Sequence, residues 1–318
     1  MSSMKYYQTN GIHIIECSPS EFSIVMCDKK KKNLTNKTYV NAGFFGNFKE
    51  GSEFFTLPAG HVVCDYEASG SAIKKYCTSR GKFAGKKYSY DGTKLASGNQ
   101  FYGKSPSTLV IRNGKATIED VKELPSCSYA ITGVPIMRSG ADVKFATYVK
   151  GQGWDASTLY GTWHTFVGLK NDGNIYVMGM KTSSGNMITS AEAYKKFKAL
   201  GFKDVIKLDG GGSFFMRVDG KNVATTVENR QINTVIIIDG AVETVGSAYP
   251  VPTRTLKYGC SGNDVKWLQD RLCVHGIAIA VDGQFGFGTK SAVLAFQQKS
   301  GLVVDGIVGK ATIAALKA

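Results

Sequence analysis

The sequence predicts an α+β protein: a β-rich domain of mostly antiparallel strands with few helices, followed by a small three-helix domain. Three observations support this fold class. Short apolar runs bounded by glycine and asparagine turns fill the first 248 residues, interrupted by one long helical stretch. Beyond residue 255 the apolar residues recur at helical spacing. The chain also holds 37 glycines against 7 prolines, which favours many tight turns.

The strands of the large domain are predicted from β-branched runs and the turns between them. Ile12–Cys17 and Ser23–Met26 are predicted to form a first hairpin. Leu109–Lys115 contains Asn113-Gly114, the strongest short hairpin signal. The remaining strands are predicted, in order, at Thr38–Val40, Thr165–Lys170, Ile175–Met178 and Asp204–Leu208, with Thr234–Ile238 as a buried last strand.

The one long helix of the large domain is predicted over Ser190–Leu200. Its apolar stripe consists of Ala191, Tyr194, Phe197 and Leu200, and Gly201 follows as the C-terminal cap.

The small domain is predicted from a break in periodicity followed by a repeat. Gly246–Thr255 contains two prolines, so the large domain is placed at 1–248, a linker at 249–255 and the small domain at 256–318. A first helix is capped by Ser261 or Asn263, and others are predicted at Thr289–Ser300 and Thr312–Leu316. The same Val-Asp-Gly-x-x-Gly turn occurs at 281–286 and 304–309. Few side chains of catalytic type occur here, which favours a binding module.

The net charge of +14 predicts attraction to a polyanion, with simple solubility as the alternative. Lysine and arginine are not concentrated on one element, so no nucleic-acid partner is predicted. No apolar run approaches a membrane span, and 1–8 shows no apolar core of a signal peptide, so synthesis in the cytoplasm is expected. Seven cysteines without a CxxC pair predict mostly reduced thiols.

Asp209-Gly210-Gly211-Gly212-Ser213 is the sharpest candidate site. Consecutive glycines at a strand end leave backbone N–H groups uncovered, and such a nest binds an anion, with phosphate the natural candidate. The adjacent carboxylate is a candidate general acid or base, or an anchor for a sugar hydroxyl. The alternative is a tight structural turn.

Three other positions are weaker candidates. Asn41 and Gly43 follow a strand, where a turn leading into core phenylalanines is the alternative. His164, just before a strand, is a candidate acid/base or oxyanion donor, with a structural histidine as the alternative. Arg230 suits bidentate phosphate binding or a surface ion pair. No HExxH, P-loop or GxSxG motif is present.

The small domain resembles the peptidoglycan-binding domain of bacterial and phage wall hydrolases. Its opening 256–269 is similar to the pattern L-x-x-G-x-x-G-x-x-V-x-x-L-Q, and 282–297 and 305–316 resemble the rest. The resemblance implies binding to peptidoglycan through 256–318.

The large domain resembles the phosphodiester glycosidase family over about 39–238, in the order of its motifs. These are Asn41-x-Gly43-Phe44-Phe45, Gly133-x-Pro135, Thr165-x-x-Gly168, Asp209-Gly210-Gly211-Gly212-Ser213 and Arg230-x-x-Asn233. Two positions depart from the pattern: His164 stands where many members have arginine, and Phe214-Phe215 replaces Thr-Thr. The first change replaces a permanent cation by a titratable group, which is expected to alter phosphate affinity and pH optimum. The second is expected to narrow the sugar pocket.

The resemblance implies hydrolysis of the bond between sugar C1 and a phosphodiester oxygen. It implies Asp209, His164 and Asn41 as catalytic residues and assigns substrate binding to Gly210, Gly211, Gly212, Ser213, Arg230 and Gly43. Glu228, Asp65 and Glu67 are candidates for a second carboxylate. No cofactor is predicted; a structural Ca²⁺ at Asp209 or Asp172 has no support from spacing.

Together the two domains predict a glycosidase acting on GlcNAc-type sugar-phosphodiester bonds of an anionic wall glycopolymer, such as teichoic acid. The layout resembles a phage endolysin acting at the bacterial cell wall. The alternatives are a non-catalytic wall-binding or structural protein on a glycosidase-like fold and an accessory protein of exopolysaccharide processing.

Overall fold

The computed structural model describes residues 4–30, 38–50, 53–58, 60–66, 88–90, 94–97, 105–122, 126–145, 148, 160–182, 188–244, 246–277 and 279–317. The chain divides into two compact units. The large unit contains Met1–Met4 and Ile15–Val242, and the small unit contains Lys5–Ile14 and Glu243–Ala318. The predicted domain boundaries at 248 and 255 stay a prediction, because contact density alone does not define which parts fold independently.

The described chain contains 21 strands and four α-helices. The strands are β1 (Met4–Thr9), β2 (Ile12–Cys17), β3 (Phe22–Lys30), β4 (Thr38–Asn41), β5 (Phe45–Glu50), β6 (Glu53–Pro58), β7 (Val62–Tyr66), β8 (Tyr88–Tyr90), β9 (Lys94–Ser97), β10 (Ser107–Arg112), β11 (Lys115–Asp120), β12 (Tyr129–Thr132), β13 (Val134–Arg138), β14 (Ala141–Asp142), β15 (Trp163–Leu169), β16 (Ile175–Lys181), β17 (Asp204–Gly210), β18 (Phe215–Val218), β19 (Lys221–Thr225), β20 (Gln231–Ile238) and β21 (Val242–Thr244). The helices are α1 (Ser190–Ala199), α2 (Asn263–Val274), α3 (Phe287–Lys299) and α4 (Lys310–Lys317).

Two sheets build the large unit. One contains the order β14-β13-β17-β15-β16-β2, and the other runs β11-β10-β12-β7-β3-β20-β4-β18-β19. Neighbours such as β15 with β16 and β20 with β3 are antiparallel, whereas β3 and β7 are parallel. With three of the four described helices in the C-terminal region, the predicted α+β class is confirmed.

The predicted hairpins are right in two cases and wrong in one. β10 and β11 pair around Asn113 and Gly114, whose φ angles of 51° and 70° suit a tight two-residue turn. β15 and β16 also pair as predicted. β2 and β3 form as strands but lie in different sheets, so they are not a hairpin. The alternation of apolar and polar residues predicts each strand, but it does not show which strand pairs with which. β21 also follows β20, the predicted last strand.

Helix α1 begins and ends close to its predicted bounds. The Thr189 hydroxyl caps its N-terminus by accepting a hydrogen bond from the Glu192 N–H (3.1 Å). Gly201 follows the helix with a φ of 79°. The stripe is only partly as predicted: Phe197 is buried, but Ala191 is exposed and Ala193 is buried instead.

The end of β17 is tied to both sheets. The Asp209 N–H donates to the Ala42 carbonyl (3.0 Å), and the Ala42 N–H donates to the Thr234 carbonyl (3.0 Å). Ala42 directly follows β4, and Thr234 lies within β20, both in the second sheet. These bonds hold the loop after β17 against the second sheet.

The small unit joins three helices to an N-terminal segment. The carboxylate of Asp270 accepts a hydrogen bond from the Asn10 N–H, and the Arg271 guanidinium donates to the Gln8 carbonyl. Asp270 and Arg271 are both buried and form an ion pair. Helix α2 follows Gly262 without a side-chain cap, so the predicted caps Ser261 and Asn263 are wrong. No described helix is long and apolar enough to span the bilayer.

The repeated turn is built twice by the same hydrogen bonds. The Gln269 amide donates to Asp282, the Gln284 carbonyl and Thr289, and it accepts from the Gly283 N–H (2.8 Å).

Gln297 makes the equivalent set in the second turn, with Asp305, the Ile307 carbonyl, Thr312 and the Gly306 N–H. Each glutamine is buried and therefore locks one turn onto the helix that precedes it.

Replacing Gln297 by leucine should lower the free energy of unfolding of the small unit by about 2–4 kcal/mol, because buried turn groups lose their partners. Thermal and urea unfolding of the full chain measure the change. Gln298→Leu is the matched control: Gln298 is exposed on the same helix, so its replacement should cost less than about 0.5 kcal/mol. Equal losses from both variants would contradict this account.

Candidate functional site

The loop after β17 is shaped by glycines in close contact with backbone. Gly210 lies opposite His164 of β15, and a Cβ at Gly210 would approach the Trp163 carbonyl to 2.7 Å. Gly211 has a φ of 56° and opens a short 3₁₀ turn, Gly211–Ser213. A Cβ at Gly161 would approach the Gly211 Cα to 2.6 Å. Side chains at 161 and 210 would therefore push this loop away from β15.

Asn41 fixes the position of this loop. Its side-chain N–H donates to the Asp209 carbonyl (2.8 Å). Its amide oxygen accepts from the Thr165 hydroxyl (2.8 Å) and from the Phe215 N–H (3.2 Å). Asn41 is buried, so the amide connects β4, β15, β17 and β18 at one point. These bonds suit a residue that orients the loop.

Asp209 is held in a turn of its own backbone. Its carboxylate accepts the Gly210 N–H (2.8 Å). Burial raises its pKa, while the nearby Ser213 hydroxyl, the Lys207 ammonium and the Arg230 guanidinium act in the opposite direction. Ser213 and Arg230 thus each lie close enough to Asp209 to affect its pKa.

Lys207 is a residue that the sequence analysis missed. It is 1% exposed, donates to the Leu208 carbonyl (2.9 Å) and lies 4.9 Å from the centre of the Phe44 ring. Burial lowers its pKa to about 8, and Asp209 opposes that shift. The signal was present: a lysine inside an apolar strand, two residues before Asp209, shares a strand face with that carboxylate.

His164 is fully buried in the first sheet. Burial, together with the charge of Lys207, lowers its pKa to about 3, while the Gly161 backbone acts in the opposite direction. Neither ring nitrogen meets a partner at ordinary hydrogen-bond geometry. The imidazole is therefore neutral at physiological pH.

Arg230 and Glu228 form the exposed edge of the site. They make an ion pair of 3.0 Å, with side chains 47% and 54% exposed. The Glu228 carboxylate also lies against Gly212, where an added Cβ would overlap the Glu228 Oε2 and would require that exposed side chain to move. A carboxylate and a guanidinium therefore border the glycine loop.

Other predicted residues have partners of their own. The Gly43 N–H donates to the Thr234 hydroxyl (3.1 Å). The Asp65 carboxylate accepts from the Tyr129 hydroxyl, and the Asp172 carboxylate accepts from Asn174 and Tyr176 in the β15–β16 turn. Glu67 lies outside the described residues. In the described ranges, no group of three or more histidine, cysteine, aspartate or glutamate side chains is placed to hold a metal ion.

Two family models match the chain. Residues 36–239 match the phosphodiester glycosidase family, and residues 261–316 match the peptidoglycan binding domain. The fold is similar to the zebrafish N-acetylglucosamine-1-phosphodiester α-N-acetylglucosaminidase catalytic domain, auto-inhibited by its pro-peptide. That similarity has a TM-score of 0.50 and 16% identity, covering 71% of this chain and 76% of the other.

Curated relatives match over a short segment. A zinc D-Ala-D-Ala carboxypeptidase of Streptomyces albus G is 49% identical over 61 residues, which is 18% of this chain and 24% of the relative. An N-acetylmuramoyl-L-alanine amidase of Bacillus licheniformis is 47% identical over 66 residues, 20% of this chain and 18% of the relative. The chain thus spans a quarter or less of these relatives.

The family match covers more than half of the chain and contains every predicted site residue, from Asn41 to Arg230. The chain belongs to the phosphodiester glycosidase family.

Proposed function

We propose that this protein is a hydrolase that cleaves a sugar-1-phosphodiester bond, with GlcNAc as the sugar, in polymers of the bacterial envelope. One observation carries the proposal: Asp209 leads into the glycine loop at the end of β17, and the Arg230–Glu228 ion pair borders that loop at Gly212, on the domain that matches the glycosidase family. A carboxylate, a loop of backbone amides and a guanidinium are the groups that such a reaction uses.

In the proposed reaction, water adds to sugar C1 while the bond from C1 to the phosphate oxygen breaks. The products are the free sugar and a phosphomonoester, and the proton of water passes to Asp209. The raised pKa of Asp209 suits this proton acceptance. Arg230 and the backbone amides of the glycine loop bind the departing phosphate in this proposal. The Gly210 amide also donates to the Asp209 carboxylate.

The remaining predicted residues then have supporting roles. Asn41 and Ser213 position Asp209, and Gly43 leaves room for the chain to turn towards it. His164 acts as a neutral group, because a pKa of about 3 leaves it without a proton to give as an acid near pH 7. Glu228 is the candidate for the second carboxylate, since it lies against Gly212 and pairs with Arg230.

The C-terminal module, in this proposal, holds the glycosidase on peptidoglycan. An anionic wall glycopolymer such as teichoic acid is the proposed substrate, because a net charge of +14 attracts polyanions. The layout of one catalytic domain with a wall-binding module supports a role as a phage endolysin acting at the cell wall.

A non-catalytic wall-binding protein, or an accessory protein of exopolysaccharide processing, is the second candidate. One observation favours it: the amides of Gly210 and Gly43 are both engaged within the protein. Incubation of whole envelopes with the protein separates the two functions. The glycosidase should release free N-acetylhexosamine, detected by mass spectrometry, and a non-catalytic protein should release none.

Asp209→Asn should lower the turnover of a GlcNAc-1-phosphodiester such as UDP-GlcNAc by about 10²–10⁴-fold, because the amide cannot take a proton. Single-turnover release of GlcNAc measures the rate, and thermal unfolding checks the fold. Asp172→Asn removes a carboxylate from the β15–β16 turn and should leave the rate unchanged. A wild-type rate for Asp209→Asn would refute the assignment.

His164→Leu should reduce the loss in the free energy of unfolding that occurs when the pH is lowered. A folded-state pKa near 3, against about 6.5 when unfolded, stabilises the protein above pH 6.5, and this contribution disappears as the pH falls from 6.5 towards 3. The wild type should therefore lose up to about 3 kcal/mol more than the variant between pH 7 and pH 4. Urea unfolding at both pH values measures the difference, and identical losses would contradict a buried neutral imidazole.

A further inference from the structure

The small unit contains a groove that none of the proposed chemistry uses. It consists of two adjoining cavities of about 410 and 440 Å³, which share Val251 and Lys317. The segment before Leu256 forms one side of it, and helix α4 forms the other. A groove of this size accommodates a short peptide or a small glycan fragment.

The lining of the groove is both apolar and cationic. Val251, Pro252 and Ile313 supply apolar surface, and the charged lining residues Arg254, Lys310, Arg271 and Lys317 are all cations. No aspartate or glutamate is among the lining residues of these two cavities. Such a surface favours a ligand that has both small apolar groups and carboxylates.

Two of the four cations are not neutralised within the described chain. Arg254 pairs with Asp264 (2.7 Å) and Arg271 pairs with Asp270. Lys310 and Lys317 are exposed and take part in no ion pair with a described residue. Their charges are therefore available to a bound anion.

The internal repeat shows that the fold does not require a lysine at 310. Phe287 and Lys310 are the first residues of α3 and α4, and both follow the same Asp-Gly-x-x-Gly turn. Both side chains are exposed, at 75% for Phe287. Because the two turns have equivalent hydrogen bonds, this position is free to vary for binding.

We infer that this groove binds the peptide stem of peptidoglycan, with carboxylates at Lys310 and Lys317 and alanine methyl groups on Val251 and Ile313. The inference rests on the proposed function, in which the module binds peptidoglycan. A stem peptide combines methyl groups with free carboxylates, whereas a glycan strand offers hydroxyls and a uniform polyanion gains nothing from the apolar wall. The groove, which has both an apolar wall and exposed lysines, therefore matches the stem peptide.

A different surface of the same unit provides the comparison. Tyr258 and Phe287 are exposed aromatic residues whose ring centres lie 4.7 Å apart. Exposed aromatic pairs suit stacking on sugar rings. If the module recognises the glycan strand, this pair is the surface that binds it.

The test uses the full chain and two probes: teichoic-acid-free peptidoglycan sacculi and a soluble disaccharide-tetrapeptide. The variant K310E/K317E should weaken binding of the soluble fragment at least 10-fold by calorimetry. K257E/K299E makes the same charge change at exposed lysines outside the groove, with Lys299 also in the last turn of its helix, and should stay within about 3-fold. Thermal unfolding checks each variant, and K310Q/K317Q is measured in place of K310E/K317E if that variant does not fold.

The outcomes distinguish a failure of the groove inference from a failure of the proposed peptidoglycan binding on which it rests. Failure of the wild type to bind sacculi would remove the proposed wall anchoring itself. Binding of sacculi that is equal for the groove variant and the control would overturn the groove alone. Glycan strands stripped of peptide should bind at least 10-fold more weakly than intact fragments. Equal binding of stripped strands, or loss of binding only in Y258A/F287A, would assign recognition to the aromatic pair instead.

Discussion

The buried amide of Asn41 is the interaction on which the site depends. It links β4, β15, the end of β17 and the start of β18 through three hydrogen bonds, and it brings both sheets to one loop. A buried amide that lacks these partners would lower the free energy of unfolding, because its polar atoms would be left without hydrogen bonds. The positions of the four segments therefore depend on one another. The hydrogen bond from the Asn41 side chain to the Asp209 carbonyl fixes the position of Asp209, although Asn41 lies 168 residues earlier in the chain.

That fixed geometry explains the electrostatics around it. Lys207, His164 and Asp209 are brought close together beneath the loop, where burial disfavours every charged form. The histidine responds by staying neutral, while the lysine and the carboxylate stabilise each other's charge. Arg230 is a second, exposed cation whose charge, like that of the buried Lys207, favours the ionised form of the Asp209 carboxylate.

The sequence predicted local structure better than it predicted which strands pair and which distant side chains come into contact. The α+β class, the Asn113-Gly114 hairpin and helix α1 follow from turn residues and periodicity, which act over a few positions. The pairing of β2 and β3 failed because alternation does not specify which sheet a strand joins. Lys207 was missed for a similar reason: a lysine in an apolar strand is visible in the sequence, but its burial against Phe44 comes from a distant segment.

The small unit shows the reverse case, in which a short repeat determines nearly everything local. Gln269 and Gln297 each satisfy one turn with equivalent groups, so the two turns and their glycines follow from the repeat in the sequence. The helix starts do not: α3 and α4 begin two residues before their predicted first residues. What the repeat leaves undetermined are the exposed positions, where Phe287 and Lys310 differ although their backbones agree. Differences that the fold does not demand are where binding chemistry can reside, because a change there costs little stability. The repeated turns of the small unit can therefore be predicted from the sequence. The ligand specificity of the unit depends on exposed residues that the fold does not constrain.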